Sequence, residues 1–101
     1  MPIIYHVTTR DEWEAAEKKG VYTTPSLQEE GFIHCSASAE QVEGVLQRYF
    51  SGKTGLVKLV IDTDKLESRF IYDWSPSTHD TFPHIYGPLN LQAVTALEPL
   101  Q

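Results

Sequence analysis

All four histidines of this 101-residue chain are followed two positions later by a hydroxyl side chain: His6 by Thr8, His34 by Ser36, His79 by Thr81 and His84 by Tyr86. Residues two apart in a β-strand share a face. An imidazole and a hydroxyl on one side of a strand form a polar pair that can hydrogen-bond a ligand or exchange a proton with it. Ser, Thr and Tyr make up 21 of the 101 residues, so four matches in four arise from composition about twice in a thousand. Polar pairs inside apolar strands break local consistency, and such breaks tend to mark functional sites. We therefore expect His6, His34 and His84 to line one cleft, within about 10–12 Å of one another. His79 should stand apart in a polar loop. The alternative for any one of these histidines is a partly buried imidazole bonded to the backbone.

Other chemistries fit the spacing less well. No two histidines stand at the i, i+4 spacing of a helix and no HxH or HxxxH occurs, so no metal site is expected. Cys35 adjoins His34, but neighbours on a strand point to opposite faces, so the two form no nucleophilic dyad and the thiol belongs with the core. Ser36 lacks the G-x-S-x-G elbow of a serine hydrolase. Trp13 is placed to pack a helix onto a sheet, whereas Tyr22 and Tyr86 adjoin Thr- or His-bearing segments and are candidates to stack on a planar ligand. Asp73 and Glu98 are the acids nearest the expected strands.

These residues need elements to hold them. Ile3 to Thr8 is β-branched and aromatic, the composition of a strand. Thr9 with Glu12 forms a capping box, Trp13 and Ala16 a short apolar stripe, and Gly20 a stop, which predicts a helix over 10–19. Residues 21–24 read as briefly extended, 25–31 as a capped single turn and 32–36 as extended again. Ser38 with Gln41 repeats the capping signal, and Val42, Val45, Leu46, Tyr49 and Phe50 recur at helical spacing, which predicts a helix over 39–50. Leu56 to Asp62 is a nearly continuous apolar run, the pattern of a central strand. Short strands are expected at 69–72, 84–86 and 91–97, with 73–81, rich in Ser, Asp, Pro and Thr, as a loop. Helices early and strands late indicate a single α+β domain over 1–101, with two or three short helices on two small mixed or antiparallel sheets.

Composition narrows the class. The chain carries 8 basic and 14 acidic residues, a net charge of −6, the wrong sign for general binding to a nucleic-acid backbone. A single cysteine makes no internal disulfide and suits a reducing compartment. No apolar run approaches the roughly 20 residues that span a bilayer and no basic, apolar leader opens the chain, so a cytoplasmic protein is expected.

Three stretches, Ile4-Tyr5-His6-Val7-Thr8, Gly31-Phe32-Ile33-His34-Cys35-Ser36 and Phe82-Pro83-His84-Ile85-Tyr86-Gly87-Pro88-Leu89, together resemble the bacterial family catalogued as domain of unknown function 952. The likeness spans nearly the whole chain. That family is similar in fold to ADP-ribosyltransferases, which implies a mixed α/β architecture around an NAD-binding cleft. The Tyr5-His6-Val7-Thr8 strand is similar to the Tyr-His-Gly-Thr strand of RNA 2′-phosphotransferases and poly-ADP-ribose polymerases, whose histidine and hydroxyl hydrogen-bond NAD. The resemblance implies ligand contacts for His6 and Thr8 and places an acid at Asp73. The expected activity is cleavage or transfer at the nicotinamide ribose of NAD or an ADP-ribose-containing nucleotide. In it Tyr22 or Tyr86 stacks on nicotinamide, Ser36 belongs to the binding set, and His34 and His84 orient hydroxyls or move a proton, with Asp73 as their acid. The catalytic glutamate of those enzymes has no clear counterpart, which supports an alternative: a catalytically inactive module that binds a ligand or partner through the same histidine-lined cleft.

Overall fold

The computed structural model describes residues 2–100. Thirteen elements alternate between short strands and short helices: β1 (Ile3–Thr9), α1 (Arg10–Lys19), β2 (Val21–Tyr22), α2 (Pro25–Glu29), β3 (Ile33–His34), α3 (Ala39–Tyr49), β4 (Leu56–Asp62), a 3₁₀ turn (Thr63–Lys65), β5 (Phe70–Ser75), β6 (Asp80–Ile85), β7 (Leu89–Asn90), a second 3₁₀ turn (Leu91–Ala93) and β8 (Val94–Pro99). The strands form three antiparallel sheets, ordered β1-β4-β8, β2-β7 and β3-β6-β5. The fold is therefore α+β with three α-helices, and it has three sheets where the sequence suggested two. No described helix is long and apolar enough to cross a membrane.

The helix signals act as written. Thr9 accepts from the Glu12 backbone while the Glu12 carboxylate accepts from Thr9, and Gly20 closes α1 in the left-handed conformation. Ser38 accepts from the Gln41 backbone at the start of α3. The Gln41 side chain, however, accepts from the Ala37 backbone and donates to Asp80 and to the Thr81 carbonyl, so it ties α3 to β6 rather than completing a box.

The core is built on β4. Val57, Leu59 and Ile61 face Ile4 and Ile33, with Trp13 and Ala16 from α1, Ile85 from β6 and Leu89 from β7 completing one cluster. Cys35 belongs to that cluster, which draws on α1 and takes no residue from α3. The thiol is thus buried as alternation requires.

The stretch expected as a loop is a hairpin. Asp73–Ser75 extend β5, Asp80 and Thr81 open β6, and the His79 N–H closes the turn onto the Ser75 carbonyl at 2.9 Å with His79 itself left-handed (φ 55). Pro83 in mid-strand disguised it, because proline donates no ladder bond. Here its N–H would fall beyond the last residue of β3, while its carbonyl accepts from Cys35 at 3.0 Å.

Candidate functional site

β1 sets the first layer. Ile4, His6 and Thr8 alternate onto one face and stand opposite Ile61, Leu59 and Val57 of β4, so the polar pair points into the core. His6 and Thr8 are buried, as are Tyr22 and Ser36. The His6 ring meets a backbone carbonyl through Nδ1, which fixes the tautomer: Nδ1–H donates to the His34 carbonyl at 2.5 Å, and Nε2 accepts from the Tyr22 hydroxyl at 2.8 Å. Thr8 donates to the Glu12 carboxylate at 2.8 Å. Burial pushes His6 down to about 4, against the pull of its bond to His34. Burial likewise pushes the Tyr22 hydroxyl and the Cys35 thiol upward. His6 is neutral at physiological pH, with both nitrogens satisfied by the protein.

The second layer lies on the outer face of the β3-β6-β5 sheet. His34 stands directly opposite His84, and His84 opposite Ile71. The two imidazole rings meet edge to face, 5.1 Å apart. Each has a carboxylate partner: His34 Nε2 lies 3.1 Å from Glu30 and His84 Nδ1 lies 2.8 Å from Asp73. Tyr86 donates its hydroxyl to the same Asp73 oxygen that His84 uses. Those two bonds, Tyr86 first and His84 second, hold the Asp73 carboxyl below its ordinary value, and the bond to Asp73 raises Tyr86. Phe32 stacks on His84 with ring centroids 4.1 Å apart and planes 12° from parallel, and its edge meets His34. The carboxylates leave His34 Nδ1 and His84 Nε2 without a hydrogen-bond partner among the described residues. The arrangement can accept or deliver a proton at either nitrogen.

The single cleft expected for His6, His34 and His84 is therefore replaced by two layers joined at β3. His6 grips the backbone of His34 from the core side, and the His34 ring lies on the outer face with His84. The physical reason is packing: the face of β1 that carries His6 is covered by β3 and by Tyr22, not by solvent. Ser36 is sealed between the layers, where its backbone pairs with Tyr5 in both directions. His79 stands apart at the β5–β6 turn, 6.2 Å from the Trp74 ring. Asp73, His34, His84 and Tyr86 come together as a group. Glu30 and Phe32 join them without having been singled out, although Phe32 lies two residues before His34 on the same strand face, the spacing that would have flagged it. Two shallow depressions flank the layers: one of about 250 Å³ between Gln41, Arg48, Thr78, Asp80 and Phe82, and one of about 190 Å³ beside Glu12, Lys19, Tyr22 and Thr23. Among the described residues no three His, Cys, Asp or Glu side chains converge as a metal site.

Fold and site together define a small antiparallel α+β protein that carries two carboxylate-held histidines on an open sheet face. Residues 7–97 match the model of the protein family of unknown function DUF952, and the chain belongs to that family. The crystal structure of protein CC0527 from Caulobacter crescentus is similar, with 32% identity over 98% of this chain and 86% of that one and a TM-score of 0.87. The solution structure of the same protein superposes with a TM-score of 0.79 at 30% identity, over 100% of this chain and 86% of that one. No curated protein matches the chain.

Proposed function

We propose that the outer face of the β3-β6-β5 sheet binds a small ribose-bearing ligand of the NAD or ADP-ribose class and that His84 and His34 move protons there. The observation that carries this reading is Asp73, whose one oxygen orients His84 through Nδ1 and accepts from Tyr86, so that Nε2 of His84 is left free to act as a base. In the reaction so assigned, the bond from the ribose anomeric carbon to nicotinamide breaks with its electron pair going to the departing ring nitrogen. An attacking water or acceptor hydroxyl forms the new bond and gives its proton to His84. The carboxylates of Asp73 and Glu30 offset the positive charge that develops on the sugar. The ligand class rests on the sequence resemblance of Tyr5-His6-Val7-Thr8 to the corresponding strand of ADP-ribosyltransferases. His6, Thr8, Tyr22 and Ser36 then support β3 from within instead of touching the ligand. The net charge of −6 favours a small nucleotide over a polymer, and the buried free thiol suits the cytoplasm.

Calorimetric titration with NAD and with ADP-ribose tests the reading. Heat of binding that vanishes in His84→Ala, with nicotinamide release lost in the same variant, is the expected result; no heat at millimolar ligand overturns it. The absence of a counterpart to the transferase glutamate favours a second reading, an inactive binding module, which predicts binding without nicotinamide release.

A further inference from the structure

Three strands of six or seven residues end their sheets, β1, β8 and β5, and they are guarded differently: β1 is tied to Ser36 through the Tyr5 backbone in both directions. β8 pairs with β4 through a register shift at Val60/Ile61, carries Glu98 in an ion pair with Lys58 at 2.9 Å, and ends on Pro99. A bulge, a charge and a proline are the usual devices that keep an edge from pairing with another chain. β5 has none of them on its outward groups.

Its outward groups follow from one bond. Tyr86 N–H donates to the Arg69 carbonyl at 2.7 Å, so Arg69 and Tyr86 are a hydrogen-bonded pair. Such pairs alternate along an antiparallel ladder, so Ile71, Asp73 and Ser75 bond to β6 and Phe70, Tyr72 and Trp74 turn their N–H and C=O groups outward. Pro83 stands opposite Tyr72, where no rung is needed. No other segment among the described residues reaches these outward groups. Two of the three side chains are also uncovered, Tyr72 49% and Trp74 59% exposed, while Phe70 packs against the core.

We propose that β5 pairs with β5 of a second copy of this chain, antiparallel about a two-fold axis between the two Ile71 residues, so that Arg69 of each copy meets Asp73 of the other beside the histidine cluster. In that register the outward groups of Phe70 bond those of the partner's Tyr72, an aromatic cross-strand pair. Arg69 and Asp73 become directly opposed on the face that carries His34 and His84, since Arg69, Ile71 and Asp73 alternate onto that side. Charge selects the register. Arg69 has no ion-pair partner among the described residues, and Asp73 spends only Oδ2 on His84 and Tyr86, leaving Oδ1 for a guanidinium. Sliding one residue further, with Tyr72 opposite Tyr72, sets Asp73 against Ile71 and Arg69 against Ser75, and both ion pairs are lost. The partner thus supplies each site with a cation that the site's own residues do not place on Asp73.

Light scattering across a concentration series, with amide hydrogen exchange on the same samples, tests the pairing. The mass doubles with concentration, and the Phe70 and Tyr72 amides become protected in step with it while those of Ile71 and Asp73 are protected throughout. Tyr72→Pro removes only an outward N–H and yields a monomer with the β5–β6 ladder intact. Arg69→Asp raises the dissociation constant about tenfold, two ion pairs being turned to repulsion, and Arg69→Asp/Asp73→Arg restores it. A monomer at millimolar concentration, a dimer whose Phe70 and Tyr72 amides exchange freely, or a Tyr72→Pro protein that still dimerises overturns the proposal.

Discussion

His6 and His84 are both strand imidazoles with a tyrosine nearby, yet the protein takes up both nitrogens of one and leaves one nitrogen of the other free. His6 stands opposite Leu59 in the central sheet, takes a carbonyl on one nitrogen and a hydroxyl on the other, and excludes a proton. His84 stands opposite Ile71 and His34, spends one nitrogen on a carboxylate and leaves the second without a partner among the described residues. The hydrogen-bonding capacity of the ring is the same in both places. What differs first is burial, which drives the proton off His6 although its carbonyl bond favours one. The partner differs second, a neutral carbonyl making a clamp where a carboxylate orients His84 and leaves its other nitrogen free.

The comparison is sharpest if the clamp is removed. His6→Ala leaves a cavity and orphans both the Tyr22 hydroxyl and the His34 carbonyl, so it should cost about 3–4 kcal/mol. For a chain of this length that is a melting-temperature drop of roughly 15–25 °C, read by calorimetry. A drop of only a few degrees would show that His6 is not the hinge between the layers.

Acid should act on the same clamp. The folded value of His6 lies near 4, below the ordinary 6.5, so the unfolded chain takes up the proton first. The contribution of neutral His6 is complete above pH 6.5 and is lost as pH falls towards 4, on the order of 3 kcal/mol in total. Denaturant melts at pH 7 and pH 4.5 should show this loss, and it should shrink in His6→Gln. Equal stability of the wild-type protein at both values would contradict the assignment.

The smallest effects separate the two faces of β3. Cys35→Ala should lower stability by about 1–2 kcal/mol without changing ligand affinity, and Cys35→Ser by more, because it buries a hydroxyl among apolar side chains with only the Ile33 carbonyl near it. His34→Ala should do the reverse, abolishing binding at a stability cost under about 0.5 kcal/mol. Rapid labelling of Cys35 by a thiol reagent in the folded protein would show that the faces are inverted.

Much of this arrangement is legible in the residues, and the illegible part has definite causes. Caps and apolar period identified α1, α3 and β4, since Thr9, Gly20 and Ser38 act locally and need no tertiary partner. The β5–β6 hairpin was hidden by Pro83 and by the polar turn, and β2 and β7, two residues each, are too short to show a period. Alternation correctly put His6 with Thr8 and His34 away from Cys35. It is silent on whether a face meets solvent or another sheet, which is why one expected cleft became two layers. Glu30 escaped notice because it ends α2 and reaches His34 only after the turn at Gly31 reverses the chain.

The middle strand of the central sheet carries a kinetic consequence. Ile4 pairs, through β4, with Ile61, and Leu59 in turn pairs with Leu97, so both ladders close long loops. Loop-closure entropy is spent before either ladder is rewarded, which places folding among the slower, high-contact-order domains. During synthesis β4 leaves the ribosome with β1 available but β8 not yet made. The nascent chain therefore holds a bare edge until Val94–Pro99 emerge, and β8 is the strand that commits this sheet to the native state.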